Sequence, residues 1–429
     1  MFDTKTVNMI KQPIIYWFRN DLRLHDNPSL HKALPTGHPI VPVFIYDDRW
    51  SSNFPELDFP RIAEHRQAFL NETVLDLTEQ IRKAGNQLLI FKGDPVSILQ
   101  ELYVKLDALA IYAQEEYAAE ELAEQAGLSK QVQLYLTPGS MLFEPNQVPF
   151  TIDKSPFYYT AFKNKVEPLG TLLATIPTIS NLPRYDWSKT DLRETYAVPT
   201  NPTGLFKGGE TAALDRLEAY ISSGAPWRYS ETRNQLEGEN FSSHLAPWLA
   251  NGSLSVRTLW QHLSAVPKED EEAKASVQTL KEQLIWRDYF RYLMMRYGQK
   301  LFWLKGLRTS APTMYNDYEA FNIWREGSTG QPLVDALMRE LKVTGFMSNR
   351  GRMLVSFYLS KELKVNWQWG AAWFQYLLVD HDVYSNYGNW AYQSGRGTDS
   401  RVNRRFNLQK QAEKFDPTGA FVRRWTTKS

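Results

Sequence analysis

Four short apolar runs recur in the first third of the chain, and polar stretches long enough to form helices separate them. The runs are IIYWF, IVPVFIY, QLLIF and ALAIYA, which begin at residues 14, 40, 87 and 108. Nearly continuous apolar runs are typical of strands buried on both faces, and helix-length connections are typical of parallel strands. The pattern therefore predicts an α/β domain with a parallel, Rossmann-like sheet over residues 1–137.

Turn-prone polar residues follow each of these runs, in the segments RNDLR, DDRW, KGDP and QEEY. The carboxyl ends of parallel strands meet at one edge of the sheet, which is where open α/β sheets bind ligands. The chain has neither a G-x-G-x-x-G nor a G-x-x-x-x-G-K-[ST] motif. We therefore expect no standard phosphate-binding loop at this edge.

The strand pattern ends near Thr137. Prolines punctuate residues 138–202, which we interpret as an interdomain linker. From Gly208 onward, apolar residues follow helical spacing in segments such as TLKEQLIWRDYFRYLMMRYG and WGAAWFQYLLVD. We therefore expect a larger, all-α domain over residues 203–429.

Composition limits the chemistry that the chain can perform. Lysine and arginine number 49 against 48 aspartates and glutamates, so a polyanion would have to bind a local basic patch. The absence of cysteine excludes disulfides, thiolate zinc sites, iron–sulfur clusters and a cysteine nucleophile. No run approaches the ~18 apolar residues of a membrane span, and the N-terminus lacks a signal-peptide core. We expect a cytoplasmic protein without membrane contact.

The segment DHDVYSNYGNW, residues 380–390, combines carboxylates, amides and aromatic rings after an apolar helix. Asn349 and Arg352 are three residues apart, so a helix would place them on one face, where Asp380 could pair with the arginine. Such a cluster among aromatic residues predicts a pocket for a polar ligand. A buried ion-pair network between two helices is the alternative. His381 has no second histidine at metal-ligand spacing, so no metal site is predicted.

Two further patterns indicate ligand binding. Ser242 and Ser243 precede an apolar run, and hydroxyl and N–H groups at a helix start bind anions, although the same pattern also suits an ordinary N-cap. Gln283, Trp286 and Arg287 are three and four residues apart, so one helix face would carry an amide, an indole and a guanidinium. That set suits a planar, polyanionic partner such as an extruded base, and an interior helix with one snorkelling arginine is the alternative.

The segments WFRNDLRLHDNPSL, LIWRDYFRYL, TGFMSNRGRM and DHDVYSNYGNWAYQSGRGTD closely resemble the photolyase and cryptochrome superfamily. Residues 380–425 are most similar to its cryptochrome DASH branch, and the resemblance extends in order from Pro13 to Trp425. It implies an α/β antenna domain followed by an all-α domain that binds a U-shaped FAD. It also implies repair of cyclobutane pyrimidine dimers in single-stranded DNA, by electron transfer from excited reduced FAD.

The resemblance assigns a set of residues to the FAD. Arg352 and Asp380 would form a salt bridge against the flavin. Asp382 would be a polar ligand of the cofactor, and Asn386 would face the ring nitrogen that is protonated on reduction. His244 stands where a basic residue is usual beside the diphosphate. The implied FAD-binding residues are Tyr229, Ser242, Ser243, Leu245, Arg287, Asn349, Arg352, Asp380, Asp382 and Asn386.

The resemblance also implies an electron-transfer chain that ends at the surface. Trp390 and Trp367 match its inner two members. The outer position, usually a tryptophan, is Met314 here, and Tyr315 beside it or another ring would end the chain. The residues implied to take part in the chemistry are Trp390, Trp367, Tyr315, Asn386 and Gln283.

Gln283 stands where dimer-repairing members usually have a glutamate that hydrogen-bonds the lesion and stabilises its radical anion. An amide can still donate a hydrogen bond, so a lower repair yield is expected rather than its loss. Met353 matches the methionine of repair photolyases. The implied substrate contacts are Gln283, Trp286, Asn349, Arg350, Met353, Tyr392, Arg396, Arg404 and Arg405, and the four arginines would hold DNA phosphates.

Glu116, in the segment AQEEYAAEE, matches the glutamate that contacts the pterin of a 5,10-methenyltetrahydrofolate antenna. The alternative is that Glu116 is an exposed helical acid that serves solubility.

The expected partner is single-stranded DNA, with RNA or looped duplex as further candidates, and a monomer is expected. The alternative function is a blue-light photoreceptor that binds nucleic acid with little repair. Gln283 favours the receptor, whereas the short stretch after Trp425 favours the enzyme.

Overall fold

The computed structural model describes residues 11–172, 174–189, 192, 196–200, 204–265, 270–310, 312–401 and 404–426. Its first part contains the strands β1 (Ile14–Phe18), β2 (Ile40–Asp47), β3 (Leu89–Gly93), β4 (Ala110–Gln114) and β5 (Leu134–Thr137). They form one sheet in the order β3-β2-β1-β4-β5, and every neighbouring pair is parallel. The predicted parallel α/β sheet is confirmed, with β5 as a strand that the sequence pattern did not reveal.

The two faces of the sheet bury alternate side chains of the same strand. In β1, Ile14, Tyr16 and Phe18 pack on one face, and Ile15 and Trp17 pack on the other. All five are at most 4% exposed. The edge strand β5 is only partly buried, which explains why it lacks a long apolar run. The α-helices of this part are α1 (Pro28–Ala33), α2 (Glu64–Lys83), α3 (Pro95–Lys105) and α4 (Ala119–Leu128).

The segment that follows the sheet packs against the helical part of the molecule. The backbone N–H groups of Leu142 and Phe143 donate to Asp288 Oδ2 at 2.8 and 2.9 Å. Both of their side chains are fully buried. The same segment forms helix α5 (Tyr159–Val166). Residues 138–202 are thus folded against their neighbours where described, and the predicted bounds of the linker and of the two domains stay a prediction.

The remainder of the described chain is mainly helical, so the expected change from an α/β sheet to helices is confirmed. No helix in these ranges is both long and apolar enough to span a bilayer. The α-helices are α6 (Glu210–Ser222), α7 (Tyr229–Thr232), α8 (Ala246–Asn251), α9 (Val256–Ser264), α10 (Glu271–Tyr297), α11 (Tyr318–Arg325), α12 (Pro332–Thr344), α13 (Asn349–Phe357), α14 (Trp367–Leu377), α15 (Val383–Gln393), α16 (Leu408–Phe415) and α17 (Ala420–Thr426).

Helix α10 organises the helical part. Asp270 caps its N-terminus by accepting hydrogen bonds from the N–H groups of Glu272 and Ala273, and Gly298, with a φ of 51°, ends it. The helix packs against α5, α7, α9 and α15. Because α10 is long and packs against helices on several sides, it holds its own side chains in fixed positions.

Candidate functional site

A cavity of about 320 Å³, the helical cavity, lies among helices α8, α10, α13, α14 and α15. Its size falls within the range of small-molecule sites. Leu245 is fully buried in the loop that forms one wall. The expected cofactor and substrate residues that line the cavity are Tyr229, Ser242, Ser243, Gln283, Arg287, Asn349, Arg352, Met353, Asp380, Asp382, Asn386 and Trp390.

Arg352 and Asp380 form an ion pair in the wall of the helical cavity. Arg352 Nη2 lies 2.8 Å from Asp380 Oδ2, and Arg352 Nε donates to Met347 O at 2.8 Å. Ser348 caps helix α13 by accepting a hydrogen bond from Gly351 N at 3.1 Å, which fixes the turn that carries the arginine. Asp380 Oδ1 is buried and has no hydrogen-bond partner among the described residues. The hydrogen-bonding capacity of this oxygen is therefore unmet within the described chain.

Asp382 has two roles at the start of helix α15. Its Oδ1 caps the helix by accepting from Ser385 N at 2.7 Å, and its Oδ2 accepts from Arg291 Nη2 at 2.6 Å. Burial alone would raise the pKa of Asp382, but Arg291 and Arg287 outweigh it and lower the pKa to about 2. Asp382 is therefore ionised at neutral pH. Arg291 is not among the residues predicted from the sequence, although its position one turn beyond Arg287 was a usable signal.

Asn386 and Trp390 present unsatisfied polar atoms to the helical cavity. Asn386 Nδ2 donates to Ala371 O at 2.9 Å, and the amide oxygen receives no hydrogen bond from the described residues. Trp390 Nε1 is buried without a partner in the described chain. A Cβ added at Gly370 would lie 2.2 Å from Trp390 Cη2, so α14 and α15 need glycine there to pack this closely. The pair suits a ligand that both accepts and donates hydrogen bonds.

Ser242 and Ser243 lie in the loop that precedes α8, as the expected anion site requires. Ser243 Oγ accepts from Leu245 N at 3.4 Å, and Arg216 Nε donates to Ser243 O at 3.0 Å. His244 has a φ of 55°, and burial and then Arg216 lower its pKa to about 4. His244 is therefore neutral at pH 7, and an anion here would bind to hydroxyl and N–H groups rather than to this imidazole.

Gln283 is held by Arg233, which is not among the residues predicted from the sequence. Arg233 Nη2 donates to Gln283 Oε1 at 3.0 Å, and Gln283 Nε2 donates to Thr279 O at 3.1 Å. Arg350 lies near Arg233 and Arg404, and burial and then these two charges lower its pKa. Three arginines therefore concentrate positive charge beside the helical cavity. Arg233 is 50 residues from Gln283 in the chain, and no local spacing connects them.

Trp286 does not line the helical cavity, so the expected common face of Gln283, Trp286 and Arg287 is divided between two environments. Tyr159 of α5 stacks on Trp286 with the ring centroids 3.7 Å apart and the planes 12° apart. Tyr392 meets Trp286 edge-on at 5.7 Å. A base can reach Trp286 only on the side that Tyr159 leaves open.

Arg287 connects helix α10 to two neighbouring segments through hydrogen bonds. Its Nη1 donates to Ser140 O at 2.5 Å, and its Nη2 donates to Leu249 O at 3.1 Å. Burial lowers the pKa of Arg287 to about 10, so the guanidinium remains charged at neutral pH. Across the cavity, Asn349 Nδ2 lies 4.0 Å from Met353 Sδ, and both side chains face the same space.

The expected electron-transfer residues lie between this cavity and the surface. Trp390 lines the cavity, whereas Trp367 is fully buried and donates from Nε1 to Leu304 O at 3.0 Å. Tyr315 is 57% exposed, and its carbonyl oxygen accepts from Asn366 N, next to Trp367 in the chain. The three rings therefore occupy an inner, a buried and a surface position.

Arg396 and Arg405 lie outside the helical cavity. Arg396 Nη1 donates to Ser310 O at 2.9 Å, and Arg405 Nη1 lies 3.4 Å from Glu362 Oε1. An exposed ion pair of this kind contributes little, so it would not prevent Arg405 from binding a phosphate. Within the described ranges, no three histidine, aspartate or glutamate side chains lie close enough together to hold a metal ion.

A second cavity of about 420 Å³, the sheet-edge cavity, lies where the carboxyl edge of the sheet meets the helical part. Its position agrees with the rule that open α/β sheets bind ligands at this edge. Ala250, His381 and Asp382 line both cavities, so only one layer of residues separates them. Other residues that line the sheet-edge cavity are Asn20, Asp47, Trp50, Phe54, Glu121, Arg291, Tyr384 and Tyr387.

Glu116 is not the exposed helical acid that the sequence suggested. It lies in the loop between β4 and α4 and is 1% exposed. Its Oε1 accepts from Gln114 Nε2 at 2.8 Å, and its Oε2 accepts from Tyr384 Oη at 2.7 Å. The expectation of exposure was wrong because Tyr384, 268 residues away in the chain, packs onto the glutamate. Glu116 does not line the sheet-edge cavity, and its role toward an antenna stays a prediction.

Comparison with known proteins identifies the family. Residues 14–180 match the model of DNA photolyase, and residues 279–428 match the FAD binding domain of DNA photolyase. Cryptochrome DASH of Synechocystis is 38% identical over 96% of this chain and 87% of its own length. The chain belongs to the cryptochrome DASH branch of the photolyase and cryptochrome superfamily.

Solved structures of this superfamily share the fold. The Synechocystis cryptochrome superposes with a TM-score of 0.89 at 38% identity, over 97% of this chain and 89% of that one. An archaeal photolyase from Sulfolobus tokodaii, described with two FAD molecules, gives a TM-score of 0.75 at 28% identity, over 96% of this chain and 90% of that one. The sheet followed by helices is therefore the architecture of the superfamily.

The helical part carries an FAD-binding domain, and the residues of the helical cavity fit this cofactor. The flavin is a planar ring system with hydrogen-bond donors and acceptors along its edges. The cavity offers an unpartnered carboxylate oxygen on Asp380, an indole N–H on Trp390 and an amide oxygen on Asn386. The Asp380 oxygen and the Trp390 N–H are buried, and buried polar atoms are normally paired, so these two are suited to a bound polar ligand.

Proposed function

We propose that the protein is a light-dependent DNA repair flavoenzyme that splits cyclobutane pyrimidine dimers in single-stranded DNA. The observation that supports this most strongly is that Gln283, Asn349 and Met353 line the same cavity as Asp380 and Asn386. A lesion and the FAD would therefore share one cavity, which holds the reacting groups together. When bound and reduced, the FAD supplies an electron to the dimer after it absorbs blue light.

The residues of this chain would hold and orient the cofactor. The ion pair between Arg352 and Asp380 keeps the carboxylate ionised and in place, because an unpaired buried charge is costly. Ser242 and Ser243 would receive the diphosphate with the N–H groups of their loop. Asn386 is anchored through Ala371 O, which holds its amide plane against the expected position of the flavin edge.

The arginines beside the helical cavity would hold the DNA backbone. Arg233 bonds Gln283, and Arg350 lies near both Arg233 and Arg404. Phosphate contacts of this type make binding strongly dependent on salt. Single-stranded DNA is the favoured substrate because extruding a base from a duplex costs a few kcal/mol more. RNA and looped duplex would meet the same charges.

Gln283 would still bind the lesion, but less effectively than a glutamate. Its Oε1 is occupied by Arg233 and one of its N–H groups by Thr279 O, which leaves the second N–H for a pyrimidine carbonyl. A glutamate would add a negative charge and a possible proton source beside Arg233. We therefore expect repair with a reduced yield.

The second candidate function is a blue-light photoreceptor with the same FAD, nucleic-acid binding and little repair. Two observations favour it: the Gln283 amide oxygen is already engaged by Arg233, and one face of Trp286 is covered by Tyr159. The proposed electron path through Trp390, Trp367 and Tyr315 would serve a receptor equally well. The two functions differ in whether dimers disappear under light.

The test measures loss of a single thymine dimer from single-stranded and duplex oligonucleotides under blue light, with photoreduced protein. We expect the wild type to repair the single strand and Gln283→Glu to repair it several-fold faster. Gln131→Glu makes the same chemical change at an exposed position of the α/β part and should behave as the wild type. Absence of repair by all three, in samples that contain FAD and bind the oligonucleotide, would contradict the enzymatic function and favour the receptor.

We further propose that an antenna chromophore, a folate by resemblance, occupies the sheet-edge cavity. Its support is the position of this cavity at the carboxyl edge of the sheet, one residue layer from the helical cavity. A light-harvesting molecule there would lie close to the FAD. A cytoplasmic location and a monomeric state stay predictions.

A further inference from the structure

Five aromatic side chains cluster beside the helical cavity. Tyr159 stacks on Trp286, and Tyr392 meets the same indole edge-on at 5.7 Å. Phe157 and Tyr158 directly precede Tyr159, and their two rings meet edge-on with the centroids 5.0 Å apart. Helix α10, which carries Trp286, also forms a wall of the helical cavity. The aromatic rim consists of Phe157, Tyr158, Tyr159, Trp286 and Tyr392.

Hydrogen bonds to the backbone fix the segment that carries the first three rings. The hydroxyl of Tyr289, in α10, bonds the carbonyl oxygen of Phe157 and lies 2.8 Å from Thr398 Oγ1. The hydroxyl of Tyr159 donates to Glu282 O at 2.9 Å, and the Tyr159 ring meets that of Tyr289 edge-on at 5.7 Å. The rim is therefore ordered before a ligand arrives, which lowers the entropic cost of binding.

Tyr158 is the exposed member of the aromatic rim. Its side chain is 51% exposed, and it lies at the start of α5, immediately before the tyrosine that covers Trp286. A single exposed aromatic residue needs no ligand to explain it. Tyr158 differs because its ring continues the surface formed by Trp286 and Tyr392, which are the rings expected to contact the lesion. The rim therefore extends that surface beyond the helical cavity.

Positive side chains accompany these rings. Lys154, four residues before Tyr158, is exposed. Arg401 hydrogen-bonds Tyr392, and its side chain is 60% exposed. Asp399 lies 3.3 Å from Arg401, but an ion pair this exposed is weak and leaves the guanidinium accessible to a phosphate. Cations that hold the backbone together with rings that stack on bases are the combination by which proteins bind single-stranded nucleic acid.

We propose that the aromatic rim binds an unpaired base adjacent to the lesion on the same DNA strand, and that Tyr158 is the residue on which this base stacks. Lys154 and Arg401 hold the neighbouring phosphates. In a duplex the adjacent base is paired, so it reaches Tyr158 only after its pair opens. The rim therefore contributes to the preference for single strands. The inference rests on the proposed repair function, for which it names a further substrate site.

The test measures binding in the dark, by fluorescence anisotropy, of the flavin-loaded protein to a single strand with one thymine dimer and to the matching duplex. Stacking of a base on an aromatic ring contributes about five- to hundredfold in affinity. We expect Tyr158→Ala to weaken single-strand binding by at least about fivefold and duplex binding by less than about twofold. Tyr158→Phe keeps the ring and should bind as the wild type.

The matched control is Tyr135→Ala, because Tyr135 is a tyrosine of strand β5 that is 45% exposed and lies outside the aromatic rim. It should bind both DNAs as the wild type. Since Tyr158 carries no charge, Tyr158→Ala should leave the slope of log affinity against log salt unchanged, whereas loss of a phosphate contact makes it shallower.

A second measurement reports the stacking itself. The base on the 5′ side of the dimer, or the one on the 3′ side, is replaced by 2-aminopurine, whose fluorescence falls when it stacks on a ring. We expect the wild type and Tyr158→Phe to quench the probe at one of the two positions, and Tyr158→Ala to restore its fluorescence. Flavin content and melting temperature of the same samples show that each variant is folded.

Three outcomes would overturn the inference. The first is unchanged single-strand affinity in Tyr158→Ala, and the second is an equal loss for single strand and duplex. The third is an equal loss in Tyr158→Ala and Tyr158→Phe, which would assign the effect to the hydroxyl instead of the ring. Dimer repair is measured separately under light. A wild type that stacks the probe but leaves the dimer intact contradicts the repair function and not the base-stacking site.

Discussion

Replacing Asp382 by asparagine removes one negative charge from the layer of residues between the two cavities, and so measures the contribution of that charge alone. Asparagine is as good an N-cap as aspartate, so the hydrogen bond from Ser385 N and the start of α15 are retained. The negative charge that faces Arg291 is lost. Asp382→Asn therefore leaves a buried guanidinium, 3% exposed, without its counter-ion.

The magnitude follows from the structure in two ways. Removing one partner of a buried ion pair typically costs about 3–5 kcal/mol, because the remaining charge is uncompensated. The pKa of Asp382, about 2 in the folded protein, lies below the ordinary value of about 3.9, which corresponds to roughly 2–3 kcal/mol of stabilisation. We therefore expect Asp382→Asn to lower the free energy of unfolding by about 2–5 kcal/mol at pH 7.

The pH dependence has a definite sign. A carboxylate whose pKa is depressed in the folded state contributes stability that is fully present above its unfolded pKa. The contribution of Asp382 is lost as the pH falls from about 4 through about 2. The difference in stability between wild type and Asp382→Asn should therefore shrink across this range.

The assay is urea unfolding of the flavin-loaded protein, followed by far-ultraviolet circular dichroism and by flavin release. The matched control is Asp317→Asn, because Asp317 is an exposed N-cap that accepts from Ala320 N at 2.9 Å. This control should change stability by less than about 0.5 kcal/mol. If Asp382→Asn were no less stable than Asp317→Asn at pH 7, the ion pair with Arg291 would not stabilise the fold.

Three further perturbations follow from individual contacts. Tyr384→Phe removes the hydroxyl that bonds Glu116, so we expect about 1–3 kcal/mol of lost stability, and an unchanged melting temperature would contradict a stabilising role of this bond. Gly370→Ala places a methyl group 2.2 Å from Trp390 Cη2, so it should destabilise by about 1–3 kcal/mol and reduce flavin content, and full retention of both would show that the helices can separate there. Arg404→Ala should make the slope of log affinity for single-stranded DNA against log salt shallower by about 0.7, and an identical slope would remove Arg404 from the phosphate contacts.

Several features were predictable because they depend on residues close together in the chain. The apolar runs predicted strands β1 to β4, and β1 and residues 40–46 of β2 are apolar throughout because a strand buried on both faces needs such side chains. Asn349 and Arg352 share the face of a short helix because of their spacing alone. The polar segment after α14 brings Asp380 within reach of that helix, and the ion pair with Arg352 is present in the structure.

The surroundings of the candidate site were decided by contacts between distant parts of the chain. Arg233, which directly follows α7, donates a hydrogen bond to Gln283 of α10. Tyr159, in the stretch predicted to be a linker, stacks on Trp286. The residues around Glu116 are polar, as in a solvent-exposed loop, yet Tyr384 packs onto Glu116 and buries it.

The sequence by itself determined strands β1 to β4, the change to helices, the family and most of the side chains that line the helical cavity, because these depend on local periodicity and on long motifs. Only the tertiary structure decided which polar groups are already satisfied and which are left for a ligand. Glu116 shows the difference, because both of its oxygens are engaged, by Gln114 and by Tyr384. The contact with Tyr384 depends on where helix α15 packs against the sheet, and no local pattern around Glu116 records that packing.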